Sequence, residues 1–228
     1  FCEKQLKPDA EKLAGDGNWL NRFFECGHMV KMDLFLRYGA IAAAGDRHLA
    51  EFVPGKWYLK DPDHVKSWGF ELTPVKWRKD AQKERREQGA RLAAGKERLN
   101  VRASGEEGVQ QIKAILGLGD IVTNVNLPNV GQLPDLPLGA VVETNARFTS
   151  NTVVPVMSGE IPPAVLGLIM PVVMNQETVV EAAFRRDLNM AFTAFIHDPL
   201  VTIPMDDARA LFHAMIQNTK NYLAEYGV

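Results

Sequence analysis

Asp46, Arg47 and His48 stand side by side, with Glu51 three residues on, directly after the small, apolar run from Gly39 to Gly45. Small side chains let a ligand or a second stretch of backbone come close. Carboxylates, an imidazole and a guanidinium at such a place supply metal ligands, a proton acceptor and a fork for an anion. A metal ion needs several ligands converging from distant segments, and near this step the sequence offers only His48 and its neighbouring carboxylates. A solitary histidine is more often structural, so the residues by themselves leave both roles open. Cys26-Gly27-His28 is a second spacing found in metal sites, weak without further partners.

The other candidate loop carries amides. It reads Asn124-Val125-Asn126-Leu127-Pro128-Asn129-Val130-Gly131-Gln132-Leu133-Pro134. Three asparagines at a strand end, with Pro and Gly shaping the turn, can present donors and acceptors to a polyol. They can equally close an Asx-rich turn on its own backbone. Pattern alone does not choose between the two. Residues 75–99 mix nine Lys and Arg with four Asp and Glu. Interleaved acids and a single aromatic, Trp77, favour a solvated helix over a nucleic-acid arm.

The chain of 228 residues, 46% hydrophobic and 24% charged with a formal net charge of -2, has the mix of a globular protein. Such a charge exerts no general pull on nucleic acid or an anionic membrane. Two cysteines, Cys2 and Cys26, are too few for a disulfide framework and point toward a reducing compartment, hence a cytoplasmic protein. Phe1 to Gly15 has no apolar core of the kind a signal peptide needs, and the chain, which opens on Phe1, is expected to be part of a longer one. The longest apolar run, Ile161 to Met174, is short of the roughly 20 residues that span a bilayer and is broken by Pro162, Pro163 and Pro171. It is expected to be a buried core helix.

Several elements must position these residues. Short helices are expected over 8–12 and 18–26, then one from Val30 to Ala44 ahead of the Asp-Arg-His step. Asp61 reads as the N-cap of a short helix with Pro62 at its first position, and Thr73-Pro74 opens the charged helix in the same way. Gly105-Glu106-Glu107 starts a helix that Gly117 to Gly119 ends. Ile121 to Leu127 alternates as a strand, with Ile121, Thr123, Val125 and Leu127 on one face. Strands follow over 140–148 and 152–157, the last at an edge because of its proline. Helices close the chain over about 163–185, 188–196 and 206–225. Helices, then a small group of strands, then helices make an α+β chain, mostly helical with a small sheet. No Gly-x-Gly-x-x-Gly step occurs, so an N-terminal Rossmann dinucleotide-binding unit is not encoded here.

Tyr38 to Phe52 resembles the "FGA…AAGDRHLAEF" segment of glycoside hydrolase family 4, the NAD- and manganese-dependent glycosidases. Asn126-Leu127-Pro128-Asn129-Val130-Gly131-Gln132-Leu133, followed by Leu136-Pro137 and Val141-Val142-Glu143, is similar to a later segment of the same family. Val179-Val180-Glu181-Ala182-Ala183, Arg186-Asp187 and Asp198-Pro199-Leu200 make a third match. The three fall in order over about residues 30 to 215, and residues 1–228 are identified as the C-terminal substrate and metal domain of such an enzyme, similar to that of lactate and malate dehydrogenases and lacking the NAD-binding domain. The family stands outside the two-carboxylate scheme of other glycosidases.

The resemblance implies NAD-mediated oxidation at C3 of the sugar, elimination helped by a manganese ion as Lewis acid, and addition of water. It makes His48 a metal ligand, with a second, cysteine ligand expected upstream of Phe1. The family's tyrosine base falls at 104–107, where this sequence has no tyrosine. Glu107 or Glu106 is expected to substitute, with Asp46 as a further catalytic carboxylate and Arg47, Asn126 and Asn129 as substrate-binding residues. Trp57-Tyr58-Leu59, Trp68-Gly69-Phe70 and Leu72-Thr73-Pro74 look most like the branch that acts on α-galacturonides. The expected partners are a small carbohydrate and further copies of the chain in a dimer or tetramer, with neither nucleic acid nor membrane. Two other readings are an NAD-dependent dehydrogenase of the lactate/malate type and a non-catalytic sugar-binding or assembly module. The isolated chain is expected to be inactive, since it holds no nucleotide site.

Overall fold

The computed structural model describes residues 27–99 and 106–227, so the expected helices over 8–12 and 18–26, with Cys26, lie outside the described residues, as do Ser104 and Gly105. The chain is α+β and divides into two compact units, one of residues 27–71 with 161–227 and one of Leu72–Glu160.

The first unit begins with α1 (Met29–Tyr38), which buries Val30, Met32 and Leu34. The expected helix over 30–44 stops six residues early. Gly39 takes φ 69 and its N–H closes on the Phe35 carbonyl, a left-handed stop that glycine adopts without steric cost. Ala40 to Ala44, good helix formers by propensity, form a loop, and the chain re-enters a six-residue helix, α2 (Asp46–Glu51). In α3 (Pro62–Ser67) Asp61 caps as expected: its carboxylate accepts from the His64 N–H at 2.8 Å, with Pro62 at the helix start. Val30, Leu34, Ala50, Val53, Tyr58, Val65 and Phe70 form one core.

The second unit opens with α4 (Val75–Ala93), which buries no residue along its 19, as its charge pattern predicted. Pro74 stands at its N-cap, one residue later than expected, and no side chain caps the helix. After α5 (Gly108–Ile115) come β1 (Ile121–Pro128), β2 (Val141–Thr149) and β3 (Thr152–Pro155), antiparallel in the order β1-β2-β3. The pairing sets Asn124 opposite Asn145 and Asn126 opposite Glu143. Thr123 of β1 and Val142, Thr144, Ala146 and Phe148 of β2 are buried, and Ala146 and Phe148 pack with Ala114 of α5. Period-two alternation therefore sends Asn124 and Asn126 to the outer face. The edge position of β3 agrees with its Val-Val-Pro step.

The first unit resumes with α6 (Pro163–Arg185), α7 (Leu188–His197) and α8 (Met205–Thr219), followed by short 3-10 turns at Lys220–Tyr222 and Ala224–Tyr226. The last expected helix is thus shorter than 206–225. The expectation of a buried core helix over 161–174 fails: Ala182 alone in α6 is buried, and Met174, Val179, Val180 and Phe184 lie exposed. By length and composition α6 is apolar enough to cross a membrane. It packs along α7, and Phe192, Phe195 and Phe212 join α7 to α8.

Candidate active site

The meeting of α1 and α2 is where the sequence placed its chemistry. Asp46 is completely buried there, at 0% exposure. One carboxylate oxygen, Oδ1, accepts from the Lys31 N–H at 3.0 Å, across 15 residues of chain. The other, Oδ2, is buried without a hydrogen-bond partner. Burial pushes the Asp46 carboxyl above the ordinary carboxylate range; the Lys31 amide, the nearby Met29 and Val30 amides and the His28 charge pull it the other way. Asp46 therefore serves the head of α1, a helix with no acidic residue in its own first turn and no side-chain cap from its N-cap, His28. That role differs from the expected catalytic carboxylate, since no part of the side chain reaches solvent. Lys31 adds a second tie through Nζ, which donates to the Ala43 carbonyl at 3.3 Å.

His48 lies on the outer side of α2. Its side chain is 62% exposed, and its nearest ionic partner is Glu51, with Nδ1 3.5 Å from Oε2. Among the described residues no group of three His, Cys, Asp or Glu side chains converges as a metal requires. His28 was discounted in the sequence as half of a weak Cys-x-His pair. It has φ 55, one of three non-glycine residues with positive φ among those described. Its neighbour Gly27 donates its N–H to the Gly69 carbonyl at 2.9 Å. Left-handed backbone in a residue other than glycine costs about 1 kcal/mol or more and collects at functional sites. Backbone strain leaves no sequence signature, so the pattern could not have singled this histidine out.

Beside this corner lies a groove of about 410 Å³ with an almost wholly apolar lining, including Ala40, Ile41, Ala42, Phe52 and, from α6, Leu168 and Ile169. The small-residue run thus lines a groove. A smaller cavity of about 240 Å³ is lined by Asp33, Arg37, Trp57, Tyr58 and Trp68. Arg37 holds Asp33 with two N–H bonds of 2.9 and 3.0 Å, and the buried Tyr58 hydroxyl donates to the same carboxylate at 2.6 Å. Burial raises the Asp33 pKa, but Arg37 and Tyr58 outweigh it and hold the carboxyl below its usual range. Burial, and then the Asp33 carboxylate, drive the Tyr58 hydroxyl well above the usual phenol value. Trp68 meets the Tyr58 ring edge-on at 4.8 Å. The aromatics read as a branch signature thus build the wall of this cavity and part of the core.

In the second unit the choice between the two roles of the amide loop is settled for Asn129, which is 1% exposed. Its Nδ2 donates to the Leu133, Leu136 and Pro137 carbonyls and its Oδ1 accepts from the Gly131 and Leu133 N–H groups. Gln132, also buried, closes the loop onto Val130 and Pro128. Asn129 is structural, against the expectation of a substrate contact. Asn126 is exposed on the outer sheet face. Glu107 is the N-cap of α5 without capping by its side chain, and Glu106 precedes it; both are exposed. Arg47 is partly buried on α2.

The described residues form a helical unit and a unit with a small antiparallel sheet, and the α1–α2 corner holds a buried Asp46 with His28 and His48 exposed. Residues 3–201 match the family 4 glycosyl hydrolase C-terminal domain. The chain is 58% identical over 208 residues to an alpha-galacturonidase of Thermoanaerobacterium saccharolyticum, covering 91% of this chain and 45% of that protein. Its fold follows the crystal structure of lplD from Bacillus subtilis, described as a glucosidase, with a TM-score of 0.81 and 46% identity over 94% of this chain and 49% of that one. A 6-phospho-alpha-glucosidase from gut microorganisms, crystallised with NAD and Mn2+, matches at TM-score 0.51 and 25% identity over 57% of this chain and 30% of that one. The chain belongs to family 4 of the glycosyl hydrolases. It spans about half the length of the curated relatives it matches.

Proposed function

We propose that the protein carrying this chain hydrolyses the O-glycosidic bond of an α-galacturonide or a closely related α-glycoside, with NAD and manganese as cofactors. The observation that carries this reading is the 58% identity to an alpha-galacturonidase along 91% of the chain. NAD would supply reversible hydride transfer at the sugar, and manganese a Lewis acid. The described residues do not form a complete metal site, so no step is routed through the metal. His48, exposed on the outer side of α2 beside Glu51, is the histidine proposed as a metal ligand. Glu107, open to solvent at the head of α5, is the carboxylate proposed as base, with Glu106 next to it. Arg47 is proposed for the substrate carboxylate, where a guanidinium can bind in bidentate fashion. A cytoplasmic setting fits an NAD-dependent enzyme, and the exposed apolar residues of α6 fit assembly with further copies of the chain.

The test uses the full-length natural chain on p-nitrophenyl α-galacturonide, with NAD and manganese each omitted in turn. Turnover is expected to need both and to leave no net NADH. Cofactor-independent cleavage, or accumulation of NADH as a dehydrogenase would give, overturns the reading. Arg47→Met is expected to raise KM for the galacturonide far more than for a neutral galactoside.

A further inference from the structure

The cavity lined by Asp33, Arg37, Trp57, Tyr58 and Trp68 is held more firmly than an exposed helix pair requires. Asp33 and Arg37 stand four residues apart on α1, a spacing that by itself gives a weak surface pair. Here a third partner fixes them. Tyr58 is 3% exposed, and its hydroxyl donates to the Asp33 carboxylate at 2.6 Å across 25 residues of chain. Asp33 in turn accepts from Nε and Nη2 of Arg37, so the guanidinium is aimed from the core. Arg37 Nη1 makes no hydrogen bond among the described residues, and the side chain is 63% exposed. Trp57, 41% exposed, is bonded through its backbone to Pro54 and His64, and its indole N–H has no partner among the described residues. The Trp68 indole N–H is already spent on His64 Nε2 at 3.3 Å.

Both Asp33 oxygens are engaged by Arg37 and Tyr58, so the polar capacity this wall has left consists chiefly of donors. A ligand that satisfies it brings acceptors, best a carboxylate, together with an apolar face for the indoles. We propose that the cavity binds a carboxylated sugar ring of the galacturonate class, with Arg37 gripping the carboxylate and Trp57 receiving the C–H face of the ring. A guanidinium anchored along one edge keeps its remaining N–H groups as a fork for an anion. Its direction is fixed before the ligand arrives, which lowers the ordering cost of binding. At about 240 Å³ the cavity falls below the roughly 300 to 1,000 Å³ of pockets for drug-sized ligands, a size for one ring and not for a chain of them. The choice of sugar rests on the galacturonide reading; the demand for an acceptor-rich anion rests on the cavity alone.

The experiment titrates the full-length chain with galacturonate and with galactose, without NAD or manganese, and follows tryptophan emission. Galacturonate is expected to change the emission saturably, with a Kd at least about tenfold below that of galactose, as a hydrogen bond between charged groups would give. Arg37→Met should weaken galacturonate about tenfold or more and leave galactose within about twofold. Arg47→Met should leave the galacturonate affinity read at Trp57 within about twofold. Should Arg37→Met fail to fold, Arg37→Lys keeps a cation beside Asp33 without the fork, and a loss of about fivefold or more is expected. Trp57→Phe should remove most of the emission change while calorimetry still finds the sugar bound. A wild type that does not bind galacturonate, an emission change that survives Trp57→Phe, an affinity unmoved by the folded Arg37 variant, or an equal loss with Arg47→Met overturns the proposal. Turnover decides the glycosidase reading separately. A chain that cleaves no galacturonide yet shows an Arg37-dependent emission change loses that reading and keeps this site.

Discussion

Asn129 in one unit and Asp46 in the other are both buried polar side chains that hold a loop or a helix end from within, at 1% and 0% exposure. They differ in how completely they are satisfied. Asn129 engages three carbonyls and two amides of its own loop, so its polar capacity is spent. Asp46 engages one amide and leaves an oxygen unpaired. An unsatisfied buried polar atom costs about 1–3 kcal/mol, and proteins keep such atoms where something other than stability is selected. The completed cluster holds its own loop, and the incomplete one carries an unpaired oxygen at the head of α1, as Thr144 and Asn175 carry unpaired oxygens elsewhere among the described residues.

The contrast is most exposed to failure at Asn129, where the largest effect is expected. Asn129→Ala strips partners from five backbone groups and should cost about 3–5 kcal/mol. Urea unfolding monitored by circular dichroism reads the loss. A variant with unchanged stability and weakened galacturonide binding would make Asn129 a ligand and undo the comparison.

Tyr58→Phe probes a third buried polar cluster, which is satisfied through charge. Losing the 2.6 Å bond to Asp33 should cost about 1.5–3 kcal/mol near neutral pH, the usual value for a hydrogen bond to a charged group. The Asp33 pKa is depressed in the fold, so the stability from its ionised partners is fully present above the unfolded value of 3.8 and is lost as pH falls through the lower folded value. The gap between wild type and Tyr58→Phe should narrow over that acidic window in paired urea titrations. A constant gap would mean that Tyr58 contributes through its ring contact with Trp68 alone.

What could be read from the sequence was local chemistry. Asp61-Pro62 announced a capped helix, the alternation from Ile121 announced a half-buried strand, and the charge pattern of α4 announced a helix with no buried face. Asp61→Ala is accordingly expected to cost only about 1 kcal/mol, measurable as a shift in urea midpoint. What could not be read depended on contacts far apart in the chain. Ala40 to Ala44 have helical composition, but Gly39 stops α1 and the tie between Lys31 and Asp46 pins the following loop. The apolar run of α6 suggested a core, yet apolar composition says only that a face is sticky, and much of this face remains exposed. The candidate site was legible only as residue types: the Asp-Arg-His step drew attention to the α1–α2 corner, while the burial of Asp46 and the exposure of His48 turned on contacts far apart in the chain.

The smallest effect is expected three residues before Asn129. Asn126 has the same side chain and belongs to the same motif, but period-two alternation turns it to the outer face of β1, opposite Glu143. Asn126→Ala should therefore change stability by no more than about 0.5 kcal/mol, the usual range for a surface position. If the outer face of the sheet meets the sugar, the same variant raises KM for a galacturonide by the few-fold expected of one lost neutral hydrogen bond. The two alanine variants then move opposite observables, stability for Asn129 and KM for Asn126. An Asn126→Ala protein with unaltered KM would take Asn126 and its face of β1 out of the substrate site, leaving Arg47 and Glu107 as the residues proposed to serve the reaction.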